Sequence, residues 1–236
     1  KGHMTLVDAP ARQNLLAQLD GYHARQTGGG SAGNTVVAFA QFGGSAFYSC
    51  RVADDALGHF YADDLHTNGV DSNLTQPHQG LATGATTGSC LVLVTPDAER
   101  TMCTYLGTTA DLDEKALNLD AIASAGVYYM EGYLAASQTG LAAAMAGRAH
   151  AVANQVPLAL TLSDVSMINF CRAGLDAMLG DGVDYLFCNE EEAQVWCGCA
   201  ERRCSVGVVV GRVVVLCGEA MVGGSRVCDR GVRTQA

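Results

Sequence analysis

Apolar positions along the chain follow two periods. Leu57, Phe60, Tyr61 and Leu65 recur at helical spacing, which predicts a helix over 56–68 stopped by Gly69. Residues 89–95 and 100–106 are rich in β-formers, and Pro96-Asp97-Ala98-Glu99 between them predicts a hairpin. Nearer the start, residues 5–20 read as a short amphipathic helix with Leu15, Leu16 and Leu19 on one face and Asp8 as a cap. A glycine-rich loop at 27–33 then opens a helix over 34–42. Its Val36, Val37, Phe39 and Ala40 make it apolar nearly all round, so it is expected to be buried. Residues 46–52 predict a strand.

The later chain alternates. Strands are expected at 127–130, 157–162 and 185–188, and helices at 137–154, 167–179 and 190–196. Strand followed by helix, repeated, implies parallel strands joined by right-handed crossovers. The early hairpin is antiparallel and is expected to sit apart from that sheet, as a flap or lid. After Trp196 the pattern dissolves into Cys, Arg, Val and Gly, with a last strand expected near 213–216.

Composition narrows the classes. Apolar residues are 49% of 236 and charged residues 16%, the balance of a folded globule. The net charge of −10 disfavours nucleic acid and anionic membrane as partners. No apolar run is long enough to span a membrane and no secretory signal opens the chain. Of ten cysteines, Cys50, Cys90, Cys103, Cys171 and Cys188 are dispersed among apolar residues, as buried reduced thiols would be in a cytoplasmic protein. Cys197, Cys199, Cys204, Cys217 and Cys228 crowd the tail, but Cys197-Gly198-Cys199 lacks the two-residue separation of a zinc knuckle. The chain opens on Lys1-Gly2-His3-Met4, which leaves open both a missing N-terminal segment and a cloning remnant.

Four segments carry candidate chemistry. Gly28-Gly29-Gly30-Ser31-Ala32-Gly33-Asn34 opens a helix, whose free N–H groups can meet a polar ligand, and Asn34 offers a donor and an acceptor to a pair of hydroxyls. Arg51-Val52-Ala53-Asp54-Asp55-Ala56-Leu57-Gly58 reads equally well as an Asp cap before a helix. Thr161-Leu162-Ser163-Asp164 and Asn189-Glu190-Glu191-Glu192 each follow a strand, at the edge where open α/β sheets bind ligands. Asn189, Glu192 and Asp164 could there organise Mg²⁺ and phosphate, although carboxylates at a helix start also simply suit its dipole.

Taken in order, with Glu131-Gly132-Tyr133-Leu134, Arg100-Thr101-Met102 and Thr104-Tyr105-Leu106-Gly107 between them, these segments resemble the PfkB carbohydrate kinase family, with the flavour of its adenosine kinase-like branch. The resemblance covers about residues 4–196. It implies an α/β fold, a ribokinase-like, Rossmann-type three-layer sandwich with a small β lid, as one domain over 1–236 that is incomplete at both ends. Lid strands would fall within 45–52 and 83–107, and 197–236 would be an atypical tail. It implies phosphorylation of a hydroxymethyl group of a sugar or nucleoside with ATP and Mg²⁺ as cofactors. Gly29, Gly30 and Asn34 would hold the acceptor's hydroxyls, the glycine pair hinging the lid. Asn189 and Glu192 match the family's Asn-x-x-Glu, with Mg²⁺ on Glu192 directly or through water, and Asp55 would be mainly structural.

Departures qualify that picture. Cys50 and Ala53 stand where the family's second motif usually has Gly. The family's catalytic Asp lies in Gly-Ala-Gly-Asp, which this sequence does not contain, so the catalytic base is unknown and turnover by this chain is doubtful. A non-catalytic sugar- or nucleoside-binding module is the alternative. An α/β dehydrogenase-like domain is disfavoured because a helix, not a strand, precedes the glycine loop. A cysteine-based redox or zinc protein rests on the tail alone. Monomer and homodimer both stay open.

Overall fold

The computed structural model describes residues 4–19, 21, 25–74, 81–198 and 214–217. Its contacts divide the chain into two units, Lys1–Ser124 with Ser137–His150, and Ala125–Ala136 with Ala151–Ala236.

In the first unit, β1 (Met4–Leu6) precedes α1 (Ala9–Gln18), so the helix expected over 5–20 begins later than its sequence pattern suggests. Asp8 caps α1 by accepting the Ala11 N–H at 2.8 Å. Next come α2 (Ser31–Gln41), β2 (Ala46–Tyr48), β3 (Val52–Ala53), α3 (Ala56–Thr67), β4 (Val70–Ser72) and β5 (Leu81–Ala82). The hairpin is β6 (Ser89–Val94) with β7 (Arg100–Tyr105), antiparallel as expected, and β1 joins β7 in parallel to make a sheet ordered β1-β7-β6. This sheet is separate from the later parallel one. A short α4 (Leu119–Ala123), capped by Asn118, follows.

The strand expected over 46–52 is two strands in two different pairs, β2 with β4 and β3 with β5. The interruption has a visible cause. The Asn73 side chain accepts from the Cys50 N–H and donates to the Cys50 carbonyl, both at 2.9 Å, and so replaces a strand neighbour there. Cys50, Val52, Leu65, Val70 and Leu74 form the core of this unit, with Val36, Val37 and Ala40 of α2 packed on it. Those three positions make one stripe. Phe39, off the stripe, is 55% exposed, so α2 is amphipathic in effect rather than buried.

The second unit begins with β8 (Tyr128–Glu131), and α5 (Gln138–Ala153) runs from the first unit into it. Then follow β9 (Leu158–Thr161), α6 (Val165–Phe170), α7 (Arg172–Leu179), β10 (Tyr185–Cys188), α8 (Glu190–Cys197) and β11 (Val214–Cys217). The strands are all parallel in the order β11-β10-β9-β8, as the alternating pattern implied. The single helix expected over 167–179 is broken at Cys171 into α6 and α7. The break places Arg172 against Trp196, its guanidinium 3.7 Å from the ring centroid. Leu160, Leu162, Met130, Leu175 and Met178 are fully buried here.

Of the cysteines expected to be buried, Cys50 and Cys188 are. Cys103 and Cys171 are half-buried and Cys90 is exposed on β6; none of the five forms a disulfide among the described residues. Cys90 lies on the outward side of a strand whose exposure alternates residue by residue. The remaining tail cysteines other than Cys197 and the backbone of Cys217 lie outside the described residues, as does most of the tail. Among the described residues no helix is long and apolar enough to cross a membrane.

Candidate functional site

The two sets of expected site residues fall in different units. In the first, Gly30 is the N-cap of α2 with φ +91, a conformation that favours glycine. No side chain caps α2, and the first helical hydrogen bond runs from Asn34 N to Gly30 O at 2.9 Å. The N–H groups of the first turn are therefore left for another partner. The loop is held from α3. Tyr61 Oη donates to the Gly29 carbonyl at 3.0 Å, and burial above all pushes the Tyr61 hydroxyl up to about 12, which keeps it a donor. Side chains at Gly28 and Gly33 would run into Asp64 and Tyr61. Gly29 has open space around it, and Asn34 is exposed with no side-chain hydrogen bond among the described residues.

Asp55 has the structural role expected of it. Its Oδ1 caps α3 by accepting Gly58 N at 2.8 Å and also accepts Thr87 Oγ1 at 2.7 Å, while Oδ2 accepts Thr87 N at 2.8 Å. Burial works against its charge, but these hydrogen bonds outweigh burial and hold the carboxyl below its ordinary range. Thr87, buried and 32 residues away, had no sequence signal. Ala53, where the family's motif usually has Gly, is wholly buried in β3, and its N–H donates to Thr87 Oγ1 at 2.9 Å.

In the second unit, the C-terminal ends of β8, β9 and β10 carry Glu131, Asp164, Asn189 and Glu192. Asn189 and Glu192 form a capping box at the start of α8. Glu192 N donates to Asn189 Oδ1 at 2.8 Å, Asn189 N to Glu192 Oε2 at 3.2 Å and Asn189 Nδ2 to Glu192 Oε1 at 2.7 Å. Asp164 caps α6 through Met167 N and accepts Tyr133 Oη on its other oxygen, at 2.9 and 3.0 Å. Glu192 is 6% exposed, and burial is the main reason its carboxyl is raised, with Asp164 and Glu191 adding to it and the Asn189 N–H opposing. Tyr133 is likewise raised, by burial first and then by its bond to Asp164 and the charges of Glu131 and Glu192. Of the three carboxylates, Asp164 bonds the Tyr133 hydroxyl, and Glu131 and Glu192 act on it through their charge.

Among the described residues no Lys, Arg or His forms an ion pair with Glu131, Asp164 or Glu192. Carboxylate oxygens suit a hard divalent cation. Yet no three or more His, Cys, Asp or Glu side chains among the described residues are placed to hold a metal by themselves. Asp164 and Glu192 would suit a cation such as Mg²⁺, which needs only one or two carboxylates from a protein. The sequence assigns no role to Glu131 or Tyr133; a glutamate ending an apolar strand is the signal that marks the first.

Residues 15–206 match the family described as pfkB family carbohydrate kinase. A fructokinase of Solanum tuberosum is 33% identical over 131 residues, 54% of this chain and 39% of that protein. Among solved structures, an adenosine kinase from Sinorhizobium meliloti superposes with a TM-score of 0.76 at 32% identity, covering 87% of this chain and 61% of that one. A probable sugar kinase protein from Rhizobium etli CFN 42 gives 0.78 at 30% identity with the same shares.

Proposed function

Because the chain belongs to the pfkB family of carbohydrate kinases, with their ribokinase-like α/β fold, we propose that it serves transfer of a phosphoryl group from ATP to a hydroxymethyl group of a sugar or nucleoside. In this reading the α2 loop binds the acceptor. Asn34 presents donor and acceptor to a pair of hydroxyls, and the uncapped first turn of α2 adds N–H groups. Asp164 and Glu192, steadied by Asn189, hold the cation–phosphate end. Mg²⁺ bound there would neutralise charge on the phosphate oxygens. The observation that carries the reading is the buried, raised Glu192 beside Asp164, with no protein cation paired to either among the described residues.

The general base is not assigned. The sequence holds no Gly-Ala-Gly-Asp, so the 236 residues by themselves are expected to bind an acceptor without turning it over. A thermal-shift and ADP-release panel of ribosides, ribose, fructose and fructose phosphates with ATP and Mg²⁺ tests this. Stabilisation by one acceptor, lost in Asn34→Ala and unaccompanied by ADP, is the expected result. No stabilisation by any acceptor would refute the binding role, and ADP release would refute the missing base.

A further inference from the structure

Ser163 has φ +71, in the left-handed region that a residue with a side chain avoids. It lies just beyond β9 and immediately before Asp164. Three hydrogen bonds hold it there. Its N–H donates to Thr161 Oγ1, its Oγ accepts from Tyr133 N and its Oγ donates to Glu131 Oε2, each at 3.2 Å. Glu131 is 7% exposed, and its other oxygen accepts Tyr129 Oη at 2.9 Å. A buried carboxylate satisfied by two hydroxyls, with no cation paired to it among the described residues, is costly to keep for folding alone. Glycine at 163 would relieve the backbone, so what the serine adds is its hydroxyl.

The end of β8 therefore grips this turn twice. Glu131 and the Tyr133 N–H take the Ser163 hydroxyl, and Tyr133 Oη takes Asp164 Oδ2. We infer that Glu131 and Ser163 are positioning residues, which set the turn so that Asp164 stays aimed at the cation–phosphate edge. This rests on the functional reading of Asp164 given above and adds to it how that carboxylate is kept in place. Neither residue needs to touch substrate or metal for the effect.

Ser163→Gly separates positioning from folding, because it removes the hydroxyl while easing the backbone. Two measurements on the whole chain decide. The first is amide hydrogen exchange at Met167, whose N–H is bound by Asp164 Oδ1. The second is Mn²⁺ affinity in the presence of ATP, read by electron paramagnetic resonance. In Ser163→Gly the melting temperature should hold, while Met167 exchanges about tenfold faster and Mn²⁺ binds about tenfold more weakly, the loss of roughly one hydrogen bond. Glu131→Ala should reproduce both changes, and Glu131→Gln, which keeps one acceptor, should recover part of each. Ser163→Gly within about twofold of wild type on both readouts would overturn the inference. If the wild-type chain binds no Mn²⁺ with ATP, the cation role of this edge falls, and with it the aim given to Asp164. Met167 exchange would then show only whether the turn still depends on the hydroxyl.

Discussion

Removing the Asp55 carboxylate should be the most damaging single truncation at the start of α3. Two N–H groups and one hydroxyl depend on it: Gly58 N, Thr87 N and Thr87 Oγ1. Thr87 is 5% exposed, so its N–H would be left without water as well as without a partner. A lost helix cap costs about 1 kcal/mol, and a hydrogen bond to a charged group about 1.5–3. The three bonds share one carboxylate and do not add, so Asp55→Ala should cost about 3 kcal/mol. Asp55→Asn, which turns one oxygen into a donor facing Thr87 N, should cost about 2. The sole tryptophan, Trp196, lies in the other unit, so urea unfolding is better followed by hydrogen exchange at the Gly58 and Thr87 amides than by fluorescence. Asp54→Ala is the control. Its carboxylate meets His59 at 2.8 Å on an exposed surface, a pair worth under about 1 kcal/mol. Because the folded Asp55 carboxyl titrates below its unfolded value of about 3.9, its contribution is whole above that pH and fades as pH falls through the folded value. Wild type and Asp55→Ala should then converge in acid. A cost under about 1 kcal/mol at neutral pH, or a difference unchanged at pH ~2, would refute this account of the cap.

Gly58→Ala should destabilise by about 3 kcal/mol, because the new methyl would run into the Ala53 carbonyl and lie 3.0 Å from Thr87 Oγ1, neither free to retreat. Gly126→Ala, with open space around it, should stay within about 0.5 kcal/mol in the same urea titration. Arg172→Ala should uncover the Trp196 ring and break the bond from Arg172 Nη1 to the Trp196 carbonyl, shifting the fluorescence maximum at a cost of about 1 kcal/mol. Arg172→Lys should fail to restore the spectrum, since an ammonium cannot stack as the flat guanidinium does.

Long periodic elements were legible in the sequence, and local patterns are why. α3, the β6–β7 hairpin and the parallel strands each carry their period, start and stop within their own residues. What was not legible depends on a distant partner. β1 has three residues and exists as a strand because β7 is there to pair with it. The break between β2 and β3 is made by Asn73, 23 residues on from Cys50. The buried appearance of α2 misled because an apolar helix on a two-stranded pair can cover only one stripe. At the site, Asp55 was legible as a cap ahead of a helix, and Asp164 and Asn189 as polar residues directly after strands, while Gly30 stood out only as part of a glycine-rich loop. The Glu131–Ser163 link joins residues 32 apart, and a left-handed serine has no sequence signature.

Capping and function are not rival explanations for Asp164 and Glu192. In a parallel sheet each strand turns into a helix, so a carboxylate at the ligand-binding edge is also, by its place in the chain, at a helix start. Binding to that helix's N–H fixes the rotamer, which would otherwise have to be ordered when a cation arrives. Each carboxylate oxygen of Asp164 and Glu192 accepts one hydrogen bond here, and each has a second lone pair. A cap therefore leaves room for a ligand on the same group. A purely structural cap would tolerate an amide: Asn serves at an N-cap as well as Asp, and Gln completes a capping box as well as Glu. What an amide cannot supply is the negative charge that burial already penalises in Glu192. Under the function proposed above, a charge kept at that cost and paired with no protein cation among the described residues would be met by a cation brought from outside, a role the cap alone does not require.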